Sequence, residues 1–320
     1  MRKMQKLISA IWNSDERRLR AFWRVAIEML TAVLLISLVQ ATIDFGRGPT
    51  AFAVVNSTMM CCLLVVALLA ARILDRRSII DFGLRIDRRW ILDLIGGVVV
   101  GSVMVAIVFL IQYQQGWIEV QRSSLEWRTL LKLQTGWVIT TLMVAVAEEI
   151  MFRGYQLKNL SEGLSGIKRP FGMIIAVFVG SLVFGAVHGA NPNADVVASI
   201  SILFAGVMFC LGRIYTGSLA APIGLHFSWN YGIAAVLGLP VSGQVIPGSL
   251  LETTAEKNLW TGGDFGPEAS PIVILCMAIG TIAFMCWPKK QTSAAENVQQ
   301  LKTYLPRDSE ASMRVPTEET

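Results

Sequence analysis

The sequence predicts an all-α fold, a polytopic bundle of about eight transmembrane helices with both termini in the cytoplasm. The chain has 320 residues, of which 53% are hydrophobic and only 16% are charged, whereas soluble domains have about 25% charged residues. Its apolar residues are grouped in stretches close to the roughly 20 residues that a helix needs to cross a bilayer. Its basic residues are concentrated in alternate connections between those stretches. These three observations together indicate a membrane protein.

Each apolar stretch is expected to be helical, because a segment in lipid must satisfy its own backbone hydrogen bonds. The predicted spans are approximately 25–43, 51–71, 91–112, 136–157, 171–189, 195–212, 218–237 and 270–287. Residues 115–135 are predicted to form an interfacial helix on the outer side. The division is therefore a basic cytoplasmic segment 1–24, a membrane domain 25–287, and a polar cytoplasmic tail 288–320 that is expected to be disordered.

The distribution of basic residues predicts the topology. Alternate connections, counted from the N-terminal segment, hold 23 of the 28 Lys and Arg residues. The intervening connections hold the other five, which are Arg47, Arg122, Arg128, Lys132 and Lys257. The positive-inside rule places the basic connections in the cytoplasm. The net charge of +5 therefore reflects topology and does not indicate a nucleic-acid partner. We expect a multi-pass protein of the bacterial plasma (inner) membrane.

Few ionisable side chains lie within the predicted spans, where each costs at least about 2.5–3.5 kcal/mol. Glu28 and Asp93 are near the inner ends of their spans, where water or basic neighbours can reach them, and are expected to be structural. The remaining ones are Glu148, Glu149, His188 and His226. The two histidines are the only ones in the chain, which makes this group the candidate for chemistry.

The adjacent glutamates are predicted to have different roles. Glu149 and Arg153 are four residues apart on a helix, with the glutamate first, which favours an ion pair. Glu148 projects about 100° around the helix, so it is expected to be unpaired and able to act as a general base. The alternative is that both carboxylates share Arg153 in a structural network.

Each histidine has a partner one helical turn away. Phe184 precedes His188 by four residues, and Asn230 follows His226 by four. A neutral imidazole and a carboxamide on one helix face can together donate two hydrogen bonds to a developing oxyanion. The alternative is that His226 and Asn230 only bond to neighbours on their own helices.

These three motifs, Glu-Glu-x-x-x-Arg, Phe-x-x-x-His and His-x-x-x-Asn, resemble those of the CAAX-protease and bacteriocin-processing (CPBP, or Abi) family of intramembrane endopeptidases. The resemblance covers about residues 136–237 and includes the type II CAAX prenyl proteases. It implies that Glu148 and His188 activate a water molecule, and that His226 and Asn230 stabilise the oxyanion. It also implies structural support from Glu149, Arg153 and Phe184.

The resemblance leaves the involvement of metal open. The family has been described as metalloproteases and later as glutamate-type hydrolases, and the sequence has no His-Glu-x-x-His motif, so we favour the reaction without a metal cofactor. If zinc is bound, its ligands would be Glu148, His188 and His226, and Glu149 could act as the base. The expected partners are a membrane-associated peptide or protein, with or without a prenyl group, and the lipid bilayer.

Two other classes of function compete with the peptidase. Intramembrane Glu and His residues also form the proton relays of transporters, although the sequence shows no inverted repeat. A non-enzymatic scaffold or immunity factor with a peptidase-like fold is the third hypothesis. One geometric difficulty accompanies the peptidase: His188 lies about 25 Å beyond Phe171 along a helix, nearer the outer face than Glu148 and His226. The fifth span must therefore tilt, begin deeper or bend.

Overall fold

The computed structural model describes residues 2–44, 46, 48–168, 170–288 and 292–306. Six basic residues counted above lie outside this part of the chain: Arg47, Arg169, Lys289, Lys290, Arg307 and Arg314. Helices account for most of what is described, and the only strands found there are two short antiparallel pairs. The all-α fold class is confirmed.

All eight predicted spans are helical. In chain order the helices are α1 (Arg2–Ile11), α2 (Ala21–Thr42), α3 (Pro49–Ile73), α4 (Arg88–Gln114), α5 (Trp127–Glu148), α6 (Leu157–Gly163), α7 (Phe171–His188), α8 (Val196–Thr216), α9 (Ala220–Asn230), α10 (Pro271–Met285) and α11 (Ala294–Lys302). The strands are β1 (Trp12–Asn13), β2 (Arg18–Leu19), β3 (Ile118–Arg122) and β4 (Leu251–Ala255). Within the described ranges, six helical stretches are long and apolar enough to cross a membrane. The predicted spans 218–237 and 270–287 contain the shorter helices α9 and α10.

Two of the helices continue as π-helix. Glu149–Gln156 joins α5 to α6, so that Trp127–Gly163 is one helical stretch of 37 residues, and Tyr231–Val236 extends α9. A π-helical turn is wider than an α-helical one and occurs frequently at functional sites. The segment Glu149–Gln156 contains two of the residues that the sequence singled out, Glu149 and Arg153.

The interfacial helix predicted over 115–135 is wrong. Residues 118–122 form β3, which pairs with β4 from the distant outer loop, and the helix begins only at Trp127. The segment 118–122 has an extended partner to bond with, which a single-sequence pattern does not reveal.

A layer of buried ion pairs joins the basic connections on one side of the bundle, which we call the basic face. Glu162 accepts hydrogen bonds from Arg77 at 2.8 Å and from Arg18 at 2.9 Å, and Arg24 lies 3.0 Å from Asp75. Burial alone would lower the pKa of Arg77, but its acidic neighbours outweigh burial and hold the pKa above the ordinary value. The N-terminal segment and the ends of α3 and α6 therefore lie together, as the alternation of charge predicts.

The intervening connections lie together on the opposite side, which we call the loop face. There β3 pairs with β4, and the side chain of Gln134 donates to the carbonyl oxygen of Gly248 at 2.9 Å. The indole of Trp137 donates to the carbonyl oxygen of Pro247 at 2.9 Å. The residues after β3, at the start of α5 and between α9 and α10 thus share one face.

The tail is not disordered throughout, contrary to the prediction. Ala294–Lys302 forms α11, where Asn297 donates to the carbonyl oxygen of Ile214 at 2.9 Å. Lys158 donates to backbone carbonyl groups at the end of α11. Polar composition hid this helix because its stability depends on tertiary contacts: hydrogen bonds, and the packing of Ala294, Val298 and buried Leu301 against an apolar cluster. Other parts of the tail, 289–291 and 307–320, lie outside the described residues.

Candidate active site

A cavity of about 300 Å³ lies within the bundle, with walls from α2, α3, α5, α7, α8 and α9. The four residues predicted to be catalytic all line it: Glu148, His188, His226 and Asn230. Most of the remaining wall is apolar and includes several methionines. A few polar groups converging in an apolar cavity are typical of a binding or catalytic site.

Glu148, the last residue of α5, faces both histidines. Its Oε2 atom lies 3.9 Å from Nε2 of His188 and 3.8 Å from Nε2 of His226. These separations exceed hydrogen-bonding distance, and Glu148 Oε2 is buried with no hydrogen-bond partner among the described residues. An unpartnered buried carboxylate oxygen is costly and points to an occupant of the space between the three side chains.

Glu149 is held by two partners on its other side. Its Oε1 atom lies 3.0 Å from Nη1 of Arg153 and 3.0 Å from Nδ1 of His226. The predicted ion pair between Glu149 and Arg153 is therefore present, and Arg153 makes no such pair with Glu148. The alternative in which both carboxylates share the arginine does not describe this arrangement.

Aromatic rings surround the Arg153 guanidinium below the cavity. Its central carbon lies 4.1 Å from the centre of the Phe184 ring and 4.9 Å from that of Phe209, distances at which a cation and a ring attract. The ring of Phe209 also stacks on His226 at 5.0 Å. Sequence reasoning missed Phe209, because one aromatic residue in an apolar span gives no distinguishing signal.

The hydrogen bonds of the two histidines determine which ring nitrogen of each carries a hydrogen. Nδ1 of His188 lies 2.9 Å from the carbonyl oxygen of Phe184, and Nδ1 of His226 faces the Glu149 carboxylate. Both partners are acceptors, so each Nδ1 carries a hydrogen. A neutral ring then presents the lone pair of Nε2 towards Glu148. Three acceptor atoms face one another, and a proton, a water molecule or a cation must lie among them.

This geometry sets a condition on the expected role of His226. A neutral His226 that donates through Nδ1 to Glu149 cannot also donate through Nε2. It can donate to an oxyanion only when both ring nitrogens carry hydrogens. The Glu149 side chain, 3.0 Å from Nδ1, lies where its carboxylate would stabilise such an imidazolium. The spacing of residues along the sequence does not reveal this contact.

The three converging atoms fit zinc in their chemistry. Neighbouring nitrogen and oxygen ligands of tetrahedral zinc are about 3.3 Å apart, given metal–ligand bonds of about 2.0–2.1 Å. The observed separations of 3.8 and 3.9 Å would have to contract by about half an ångström. As they stand, no three His, Cys, Asp or Glu side chains in the described ranges are spaced for a metal ion.

Asn230 is the last residue of α9 and has a free carboxamide. It lines the cavity, and its side chain forms no hydrogen bond within the described part of the chain, so it does not merely bond to a helix neighbour. Its predecessor Trp229 donates through the indole to Glu268 at 2.9 Å, and Glu268 also accepts from the backbone of Ser242 at 2.6 Å. Glu268 thus links α9 to the loop that precedes α10. No pattern in the sequence had pointed to Glu268.

The position at which α9 begins explains how His188 and His226 lie at similar depths in the membrane. A Cβ atom on Gly97 would overlap the carbonyl oxygen of Ala221, and a Cβ on Gly101 would lie against Leu225. Because Gly101 is 13 residues into α4, His226 lies about 20 Å from the start of α4. This is close to the roughly 25 Å at which His188 lies along α7. The start of α9 is buried within the bundle, so its first residue is not at the membrane surface as expected.

Asp93 and Glu28, which were expected to be structural, differ in the partners that they contact. Asp93 pairs with Arg89 at 3.2 Å, as predicted. Glu28 does not reach a basic neighbour; it is buried, and its described partner is the Gln156 side chain at 3.3 Å.

Comparison with known proteins agrees with the geometry. No curated protein and no solved structure matches the chain. Residues 131–232, about a third of the chain, match the family described as type II CAAX prenyl endopeptidase Rce1-like. This segment runs from α5 through α9 and contains every residue that the sequence singled out for chemistry. The resemblance is confirmed: residues 131–232 of this multi-pass membrane protein match the model of the Rce1-like family of type II CAAX prenyl endopeptidases.

Proposed function

We propose that this protein is an intramembrane endopeptidase that hydrolyses a peptide bond in a membrane-associated substrate, with Glu148 as the general base. The observation that supports this most is the unpartnered Oε2 atom of Glu148, within 3.9 Å of two imidazole nitrogens on the wall of an apolar cavity. A carboxylate placed in this way can take a proton from a water molecule held beside it.

The attacking water would lie between Glu148 and His188. A water oxygen about 2.8 Å from both Glu148 Oε2 and His188 Nε2 would subtend an angle of about 90°, which its two hydrogens can approach. His188 accepts one hydrogen and orients the water, because its own Nδ1–H is fixed by Phe184. Glu148 accepts the other as the oxygen attacks the scissile carbonyl carbon.

The developing oxyanion would be stabilised by His226 and Asn230. His226 would take a second proton from solvent before the reaction and keep it through turnover, so that it donates through Nε2 with its charge balanced by Glu149. The free Asn230 carboxamide would donate the second hydrogen bond. Each such donor in a preorganised site contributes about 2.7–4 kcal/mol to the transition state. When the tetrahedral intermediate collapses, the C–N bond breaks and Glu148 returns its proton to the leaving amine. Peptide and water thus become a carboxylic acid and an amine.

The substrate would reach the cavity from within the bilayer. Val33 on α2 and Val187 on α7 both line the cavity, yet they are 56% and 45% exposed. The cavity therefore opens towards the lipid between these two helices. Such an opening suits a polypeptide that a transmembrane span or a lipid group already holds in the membrane.

The proposal is tested with protein purified in detergent and reporter peptides anchored by a prenyl group, by an apolar helix, or not at all. We expect one internal bond to be cut in an anchored peptide, and sequencing of the products identifies that bond and the preferred anchor. A proton-coupled carrier would instead show proton flux in liposomes without cleavage, and a scaffold would show neither.

A further inference from the structure

We infer that Glu268, which lies outside the segment 131–232 that matches the family, is a positioning residue. Through Trp229 it holds the end of α9 in the orientation that directs the Asn230 carboxamide into the cavity. The role of Asn230 in the reaction rests on the proposed function, whereas the support that Glu268 gives to α9 does not.

Glu268 is another buried carboxylate on the cavity wall, but its surroundings differ from those of Glu148. Its Oε1 atom accepts from the Trp229 indole at 2.9 Å. Its Oε2 atom accepts from the backbone N–H of Ser242 at 2.6 Å and from the Ser242 hydroxyl at 2.8 Å. Oε2 of Glu148, in contrast, has no partner among the described residues. Glu268 therefore has the contacts of a structural support, and Glu148 has those of a reactant.

The backbone that carries Glu268 is itself closely packed. Glu268 lies in a buried 3-10 turn, Pro267–Ala269, just before α10. The preceding Gly266 has a φ of +98°, and a Cβ atom on it would overlap the carbonyl oxygen of Pro240. The turn thus packs against the chain just beyond the π-helix that extends α9. A carboxylate on a turn held in this way can define the position of the groups that donate to it.

Asn230 lies at the junction between two types of helix. The α-helix α9 ends at Asn230, and the π-helix begins at Tyr231. Because π-helical turns are rare, we expect contacts with other segments to decide where the change occurs. A shift of one residue turns a helical side chain by about 100°. Such a shift would turn the Asn230 carboxamide away from the cavity.

Both chain neighbours of Asn230 are held by hydrogen bonds to other segments. Trp229 donates to Glu268 at 2.9 Å, and the Tyr231 hydroxyl donates to the side-chain oxygen of Gln134 at 2.8 Å. Gln134 in turn donates to a backbone carbonyl group of the π-helix at 3.0 Å. The Asn230 side chain has no described hydrogen bond of its own, so its direction depends on those of its neighbours.

Loss of the support from Glu268 should therefore act on kcat. In Glu268→Gln one carboxylate oxygen becomes an amide group that donates, so either the Trp229 indole or the Ser242 N–H loses its acceptor. A misplacement of about 1 Å in an active site can cost about 10²-fold in rate. We expect kcat to fall about tenfold to a hundredfold, with KM changed by less than about twofold, because the oxyanion forms only in the transition state.

A double-mutant cycle separates positioning from general structural support. Glu268→Gln should lower kcat strongly when Asn230 is present, but by less than about threefold in Asn230→Ala, because the group that it positions is then absent. Glu252→Gln is the matched control. Glu252 lies in the same loop and accepts from the backbone N–H and the hydroxyl of Ser124, as Glu268 does from Ser242, but it bonds to no described residue of α9. Its kcat should remain that of wild type. Equal fold-losses in both backgrounds, or no loss in Glu268→Gln, overturn the inference.

Hydrogen exchange tests the support of α9 without a catalytic readout. Trp229→Phe removes the indole donor and keeps an aromatic ring. Both Trp229→Phe and Glu268→Gln should speed backbone amide exchange over residues 231–236 at least about threefold, whereas Glu252→Gln should not. Unchanged exchange in both variants overturns the inference. Faster exchange in both, with no cleavage by wild-type protein, would overturn the proposed function and leave the support of α9 by Glu268 standing.

Discussion

Replacing Glu148 by glutamine is expected to remove activity without destabilising the fold. The Glu148 Oε2 atom has no hydrogen-bond partner in the described residues, so the substitution breaks no contact there. The new amide group can instead donate to the Nε2 lone pairs of His188 and His226, which lie within 3.9 Å. Burying an unsatisfied carboxylate oxygen costs about 1–3 kcal/mol, so the variant should unfold at the same temperature as wild type or a higher one.

The loss of activity should be large. A positioned general base contributes about 10²–10⁴ in rate, which corresponds to roughly 2.7–5.5 kcal/mol of transition-state stabilisation. Glu149→Gln is the informative comparison, because it weakens the contacts that hold buried Arg153 and His226. Leaving a buried charge without its partner costs about 3–5 kcal/mol, so Glu149→Gln should lower the unfolding temperature clearly.

The assay compares initial cleavage rates of an anchored reporter peptide with thermal unfolding of the same samples in detergent. We expect Glu148→Gln to be stable and inactive, and Glu149→Gln to be unstable. A Glu148→Gln variant that keeps more than a tenth of wild-type kcat, with a normal unfolding temperature, would refute the role of Glu148 as base.

Four further outcomes are expected. Asn230→Ala should lower kcat by about 10²–10³ with little change in KM or in unfolding temperature, since the Asn230 carboxamide forms no described hydrogen bond; an unchanged kcat contradicts its role. Gly101→Ala should cost about 1–3 kcal/mol of unfolding free energy by overpacking against α9, whereas Gly136→Ala, with nothing within 4 Å of its new Cβ, should not; equal effects contradict the close packing. Glu162→Gln should lower the unfolding temperature by leaving Arg77 short of a partner; an unchanged temperature means that the ion-pair layer is not stabilising. A chelator should leave cleavage unchanged, whereas loss of activity that added zinc restores would support the zinc ligand set.

The sequence predicted the helices, and the grouping of ionisable residues in the cavity, for physical reasons that act locally. Spans follow from length and hydropathy, and the Glu149–Arg153 pair follows from helical spacing alone. The grouping of Glu148, His188 and His226 followed from the high cost of ionisable groups in lipid, which leaves few residues to consider. The grouping is present, with separations below 4 Å.

What the sequence did not predict depends on contacts between distant segments. His226 bonds to Glu149 across 77 residues, and that bond decides which ring nitrogen carries the proton. The deep start of α9 depends on the close approach of Gly97 to Ala221. The link from Trp229 to Glu268 depends on how the outer loop folds back. None of these leaves a periodic or spaced pattern in the chain.

The central claim is that Glu148 and its two histidines direct a water molecule to a peptide bond. The most direct test is a single-turnover cleavage of an anchored reporter peptide by purified wild-type protein in ¹⁸O-labelled water, with the products analysed by mass spectrometry. The account predicts one internal cut, one ¹⁸O atom in the new carboxylate, and no product from Glu148→Gln. Intact peptide after incubation with wild-type protein, or equal ¹⁸O-labelled product from Glu148→Gln, would contradict it.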